Sequence, residues 1–359
     1  MTQSLKNETL QIRKKKQKRL IDFDYFRAFG ILFIICGHCP NKWDREGYAE
    51  IVFSNVIDGN TALFVFISGF FFHRIFYNDF DLSNFLMKKT MGVFIPYIIL
   101  TTSFIMICYI LFGGVNFPFR IHSDDDLNNV ISAVANFITG KTLTAYWYIP
   151  FIMIIFIISP VFVLFIKIQK KTQILIMIFL FIVSMYVHRP VLNINPLHSV
   201  LYFLPYYLIG IFYSQNKITI DDMIKGNLFN FFLLVITVST VMFYVDQIGN
   251  SHKVFPWIWN GLDLMVLQKI SLIFFMLCLC KTLEKNNIAL LTYFAQRSFA
   301  LFFIHPWVIF AAKILFLNQY LQGAIGSLML FPLVLLVSVL LAETVKLVFK
   351  ERSRFLIGW

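Results

Sequence analysis

Residues 24–38 read Asp24-Tyr25-Phe26-Arg27-Ala28-Phe29-Gly30-Ile31-Leu32-Phe33-Ile34-Ile35-Cys36-Gly37-His38. This is an apolar helix with a cation near one end and an imidazole at the other. At about 100° per residue, eleven positions bring Arg27 and His38 within about 20° of one face. At a rise of about 1.5 Å per residue they stand about 16 Å apart, roughly half the thickness of a bilayer core. An arginine inside an apolar span costs about 2.5–3.5 kcal/mol on insertion scales. Either Arg27 snorkels to the headgroups or pairs with Asp24 one turn earlier, or it works where it stands.

The rest of the chain places this helix in a membrane. Of 359 residues, 58% are hydrophobic and only 14% charged, with a mean hydropathy of +0.74. Soluble domains are about 45–50% apolar and about 25% charged, so the composition is that of an integral membrane protein. A net charge of +12 suggests nucleic acid only until the charges are placed, because they lie at the ends of apolar runs, where they set topology. No nucleic-acid partner is expected. Five cysteines give no disulfide framework, and Cys36-Gly37-His38-Cys39 lacks the strand–helix context that a thiol-exchange motif needs. The basic tail before the first apolar run imitates a secretory signal, but Pro40-Asn41-Lys42-Trp43 offers no small-residue cleavage site.

Ten apolar segments predict an all-α, polytopic protein of ten transmembrane helices, with approximate limits 21–39, 57–76, 91–113, 147–166, 172–187, 198–214, 228–245, 262–280, 297–316 and 325–346. Residues 1–20 read as a basic cytoplasmic tail, 21–350 as the membrane domain and 351–359 as a C-terminal cytoplasmic tail. Of the 31 lysines and arginines, only Lys42, Arg45, Arg120, Lys141, Arg189, Lys253 and Lys313 fall on one set of alternate loops. Arg27 and Lys269 lie inside spans, and all the others sit on the tails and the opposite loops. The imbalance puts both termini in the cytoplasm and His38 at the outer end of its helix. The longest outer loop, 113–146, carries the acidic run Asp124-Asp125-Asp126.

Further residues qualify as functional. Ser68-Gly69 in the second span is either a helix-packing contact or part of a substrate path. Lys88 and Lys89 precede Pro96-Tyr97, and positive-inside placement explains them as well as a role in drawing in phosphates. Trp147 and Tyr148 open the fourth span as interfacial aromatics. Ser298 and His305 are seven apart on one helical face, with His305 about 10 Å into the bilayer. Lys269 is a buried cation that suits donor contact, acceptor contact or pairing with Asp263.

Together these motifs resemble the acyltransferase-3 family of membrane enzymes. That family opens with an acidic residue, an arginine three positions on, ten residues and a histidine, here Asp24, Arg27 and His38. A phenylalanine-rich Ser-Gly-Phe follows (Ser68 to Phe70), then a basic cluster leading to a proline-aromatic pair. A Trp-aromatic pair, an aromatic-glycine helix (Pro205 to Gly210) and a Ser…Ile-His segment ending in His305 complete the pattern. One departure is Gly92, where the family often has a further arginine.

The resemblance implies a multi-pass enzyme of the cell inner membrane that moves an acyl group, most often acetyl, from cytoplasmic acyl-CoA to a hydroxyl of a cell-surface or secreted glycan, or of a lipid-linked sugar. Acyl-CoA is then a co-substrate; no permanently bound cofactor and no metal is expected. His38 is the expected general base, and a covalent acyl-histidine stays open. Arg27 holds the donor or, through Asp24, fixes the tunnel; His305 binds the acceptor or orients the donor. Ser68, Lys88, Lys89, Ser298 and Lys269 fall to the donor or its tunnel, and Trp147 and Tyr148 to the acceptor. The competing class, a transporter or flippase for a glycan or lipid-linked sugar, explains ten spans equally well but does not require Arg27 and His38 in this relation.

Overall fold

The computed structural model describes residues 19–39, 47–112, 115–116, 120–121, 126–315 and 321–359. The basic tail through Lys18, Lys42, Arg45, Asp124 and Asp125 lie outside these residues. The protein is an all-α polytopic bundle, as the composition predicts, and each of the ten apolar segments is helical. Its strands, among the described residues, are two-residue bridges: Val115–Asn116 against Arg120–Ile121, and Arg189–Pro190 alongside His252–Lys253.

Among the described residues, seven helices are long and apolar enough to cross a membrane, or nine if each of two bent pairs is one span. Tyr148–Ile157 and Ser159–Lys167 form the first pair, bent by 55°. Pro160 sits at that bend, where it removes a backbone donor. The remaining segment of the ten, α1 (Ile21–His38), carries Asp22, Asp24 and Arg27 and is not in that count. It compensates by burial in protein. Tyr25, Ala28, Ile31 and Ile35 are wholly covered, and Asp22 accepts from Lys217 Nζ at 2.7 Å. A charged helix is tolerated at membrane depth when neighbouring helices supply its partners.

Two further helices, α2 (Thr61–Phe71) and α3 (Pro196–Gln215), lie backbone to backbone. A Cβ added to Gly69 would fall 2.0 Å from the Tyr207 carbonyl oxygen, and one added to Gly210 would fall 2.1 Å from that of Phe66. Glycine is required at both places, and the aromatic-glycine helix is indeed a packing element. Gly69→Val is expected to cost about 3 kcal/mol, at the top of the usual overpacking range, because the obstacle is backbone and cannot rotate away. A melting curve of the detergent-purified protein checks this. Ser68→Ala, one residue away, should melt like the parent, and an unshifted Gly69→Val would refute the contact.

Beyond Gly69 the helix widens into a π-helical turn, Phe72–Phe76, and a second such turn, Thr90–Phe94, interrupts the third apolar segment. Such turns favour functional sites, since each frees a backbone group and re-aims side chains. The segment expected as a C-terminal tail contains folded residues. Residues Ser353–Ile357 form a short helix with Ser353 and Ile357 buried, and Trp359 carries the Arg297 guanidinium 4.9 Å from its ring centre. Its apolar positions, Leu356 and Ile357, find a seat against the Thr90–Phe94 turn, and this holds it down.

Candidate active site

The helix α4 (Ala289–Ile314) runs beside α1, and the two meet twice. Near one end, Arg27 Nη2 donates to Ser298 Oγ at 3.0 Å, while its Nη1 stands 3.9 Å from Asp24 Oδ1. Ser298 Oγ in turn donates to the Ala295 carbonyl at 3.0 Å. Farther along, His38 Nδ1 lies 3.1 Å from His305 Nε2, with the two rings nearly parallel at 5°. His305 Nδ1 is 2.8 Å from the Leu301 carbonyl oxygen.

These contacts determine where the protons sit. A carbonyl only accepts, so His305 Nδ1 carries hydrogen and donates to Leu301. A neutral His305 then offers Nε2 as an acceptor, and His38 Nδ1 must donate to it. The remaining nitrogen of His38, Nε2, keeps its lone pair. The relay from backbone carbonyl through His305 to His38 selects the tautomer in which His38 can accept a proton at Nε2.

Cavities lie on both sides of His38. The first, about 290 Å³, is lined by Arg27, Ser68, Lys89, Tyr148, Phe156 and Ser298 among others, and both π-helical turns border it through Phe76 and Val93. The second, about 240 Å³, is polar and is lined by His38, Asp58, Asn60, Lys141, Arg189 and Asn250 among others. Between them is a constriction of about 10 Å³ that includes His38, Thr61, Phe64, Trp147 and Tyr148. Phe64 and Tyr148 also line the first cavity, and His38, Thr61 and Trp147 also line the second. Shared lining residues thus set the three spaces side by side, with Lys89 and Arg27 in the first and Arg189 in the second.

The structure brings together most of the residues singled out from the sequence. Ser68 faces the first cavity, 3.5 Å from the Tyr148 hydroxyl, while its neighbour Gly69 makes the packing contact. The packing contact falls to Gly69, and Ser68 lines the cavity beside it. Lys89 lines the cavity with its ammonium 4.7 Å from the Phe156 ring centre; Lys88 is exposed beside it, over Phe76. Trp147 and Tyr148 are not an exposed platform but are 4% and 7% accessible. Trp147 borders the second cavity, whereas Tyr148 turns to the constriction and the first.

Lys269 lines neither cavity but lies behind the second, with its ammonium 3.5 Å from Oδ1 of the lining residue Asn60. Its ammonium donates to the carbonyls of Asn55 at 3.1 Å and Val56 at 2.9 Å, at the end of the helix Tyr48–Ile57. A cation there completes the unsatisfied carbonyls of a helix C-terminus. Asp263, considered as its partner, instead accepts from the Tyr202 hydroxyl at 2.8 Å and the Met265 amide at 3.0 Å. Cys36 and Cys39 are free thiols. Among the described residues, no group of three or more His, Cys, Asp or Glu side chains is placed to hold a metal ion.

Sequence reasoning missed the second cavity. Asp58 and Asn60 share one loop, Lys141, Arg189 and Asn250 come from three others, and the sequence showed Lys141 and Arg189 only as two of the few cations on their side. Arg189-Pro190, between the fifth and sixth predicted spans, was the one signal available.

No curated protein and no solved structure matches the chain. The model of the acyltransferase-3 family, described as an acyltransferase domain, matches residues 20–343. The match takes in both histidines, both cavities and nearly every helix, and the chain belongs to the acyltransferase-3 family.

Proposed function

We propose that the protein transfers an acyl group, most often acetyl, from cytoplasmic acyl-CoA to a hydroxyl of a cell-surface glycan or lipid-linked sugar. The observation that carries this reading is His38 at the junction of two cavities, with its Nδ1 proton committed to His305. The first cavity, with Arg27 and Lys89, suits a phosphate-bearing donor whose apolar acyl-bearing arm runs toward the constriction. The second, polar cavity suits a sugar.

In this scheme His38 Nε2 takes the proton of the acceptor hydroxyl as its oxygen attacks the thioester carbonyl. The C–S bond then breaks, the ester forms, and the proton passes from Nε2 to the departing thiolate. General-base catalysis is worth about 10²–10⁴ in rate, so positioning along the path supplies the rest. Arg27, held between Ser298 and Asp24, anchors the donor; Ser68 and Tyr148 border its arm. His305 orients His38 and touches neither substrate. The reading takes the membrane to be the cytoplasmic (inner) one, and the charge count supports both termini inside.

The test compares surface glycans from cells with and without the gene. Loss of ester-linked acyl groups with unchanged glycan export is expected. Unchanged acylation with glycan missing from the surface points to the transporter class and refutes the enzyme.

A further inference from the structure

Cations are scarce on the side of the protein that the charge count makes outer, yet they gather at the second cavity. Lys141 and Arg189 line it, beside a single carboxylate, Asp58. His252 lines it too, on the short strand beside Arg189–Pro190, while the next residue, Lys253, donates to the Tyr186 carbonyl at 2.5 Å and stays out of the lining. The field of Lys313 reaches Lys141. Topology explains why such residues are few, and leaves their convergence unexplained.

Arg189 is unusual in its setting. It is 4% exposed, donates from Nη2 to Asn193 Oδ1 at 3.2 Å, and its Nε has no hydrogen-bond partner among the described residues. Its guanidinium lies 5.2 Å from the Trp147 ring centre and 5.4 Å from that of Phe203. The preceding residue, His188, has φ 56° and ψ −175°, a backbone region almost confined to glycine and costing about 1–3 kcal/mol. That conformation is held by bonds from both His188 ring nitrogens, to Ser251 Oγ at 2.6 Å and the Gly261 carbonyl at 3.1 Å. The Arg189 amide adds a bond to the Ser251 carbonyl at 3.2 Å. Strain maintained by this many contacts beside a buried, under-bonded cation is the mark of a binding group. Burial, with added repulsion from Arg189 and Lys313, pushes the Lys141 ammonium down to about 8. The cations oppose one another, and an anion between them relieves the repulsion.

We propose that the second cavity recognises an anionic group of the acceptor, a sugar carboxylate or phosphate, through Arg189 and Lys141. The inference deepens the acyl-transfer reading and rests on it for the word acceptor. A guanidinium presents a planar fork that meets carboxylate or phosphate through two parallel hydrogen bonds, and Lys141 adds a point charge. Trp147 offers its ring to the sugar's apolar face, and the buried Asn250 Oδ1, which has no partner among the described residues, is an acceptor for a hydroxyl.

The test is a calorimetric titration of the purified protein in nanodiscs with glucuronic acid, glucose 6-phosphate and glucose. At least one anionic sugar should bind roughly tenfold or more tightly than glucose, as a charge-assisted bidentate contact implies. Whichever anion binds better identifies the group. Arg189→Gln and Lys141→Gln should each shrink the preference, and Arg189→Lys should restore part of it. Equal binding of all three sugars, or no binding of either anion, overturns the proposal. So does a preference that survives both substitutions in variants melting like the parent. Acetyl-CoA turnover is read separately on the same samples. A protein that shows the anion preference but never consumes acetyl-CoA refutes the acyl-transfer reading and leaves this cavity assigned.

Discussion

His38→Ala inserts, accumulates and still takes up acyl-CoA, yet transfers acyl groups at least about 10²–10⁴-fold more slowly, the usual worth of a general base. The expectation follows from two observations. His38 stands at the constriction between the cavities, and its Nδ1 is engaged by His305 at 3.1 Å. His305 is a positioning residue, so its substitutions should grade. His305→Ala removes the acceptor that commits the His38 proton to Nδ1 and opens a void beside the ring. It should slow transfer by roughly 5- to 150-fold, the equivalent of about 1–3 kcal/mol for a buried bond lost. His305→Gln keeps an oxygen able to accept from His38 Nδ1–H and should recover part of that loss. KM for acyl-CoA should change little in either, because His305 lines neither cavity. The measurement is initial rate against acyl-CoA concentration with labelled acetyl-CoA. Full activity in His38→Ala removes it from the mechanism. Equal rates for the alanine and glutamine variants of His305 remove the tautomer argument.

Much of this site was legible in the sequence, one helix at a time. The spacing of eleven put Arg27 and His38 on one face of α1, and the spacing of seven put Ser298 and His305 on one face of α4. What sequence could not supply was that these two faces look at each other. Nothing in either apolar run says which of ten helices is its neighbour. Eleven residues rise about 16 Å and seven about 10 Å, so the two spacings do not match as rungs of a ladder. The long Arg27 side chain bridges the difference to reach Ser298. The role of Lys269 stayed open in the sequence for a related reason. A buried lysine signals function by default, but its carbonyl partners at Asn55 and Val56 lie over two hundred positions away. The second cavity was hidden altogether, because loops carry no periodicity. The span count shows the opposite limit. Length and hydropathy leave α1 out of the span count because it carries Asp22, Asp24 and Arg27, which find their partners in protein.

Labelled acyl-CoA supplied on the cytoplasmic face of sealed vesicles should mark an acceptor enclosed on the other face. Acceptor on the same face as the donor should stay unlabelled. Lys89 and Arg27 line the first cavity and Arg189 the second, so under the proposed reaction the two substrates would approach His38 from opposite sides. Arg27 and His38 are about 16 Å apart along α1, comparable to an extended pantetheine arm, so a donor anchored at Arg27 presents its thioester at His38 without being flipped. The constriction of about 10 Å³ holds little more than a water molecule. The arm must displace side chains such as Phe64 and Tyr148 to pass, and it plugs the opening while the reaction proceeds. Enlarging Ala145, a constriction residue 3% exposed, to Phe should therefore stop transfer to the far side while donor binding persists. Arg27→Lys should raise KM for acyl-CoA despite the conserved charge, because a point charge cannot serve Ser298, Asp24 and a phosphate as a planar fork does. Label reaching only acceptor on the donor's own side would overturn the two-sided path. The family's chemistry would stand, with both substrates entering through the first cavity and the second left without a part in the reaction.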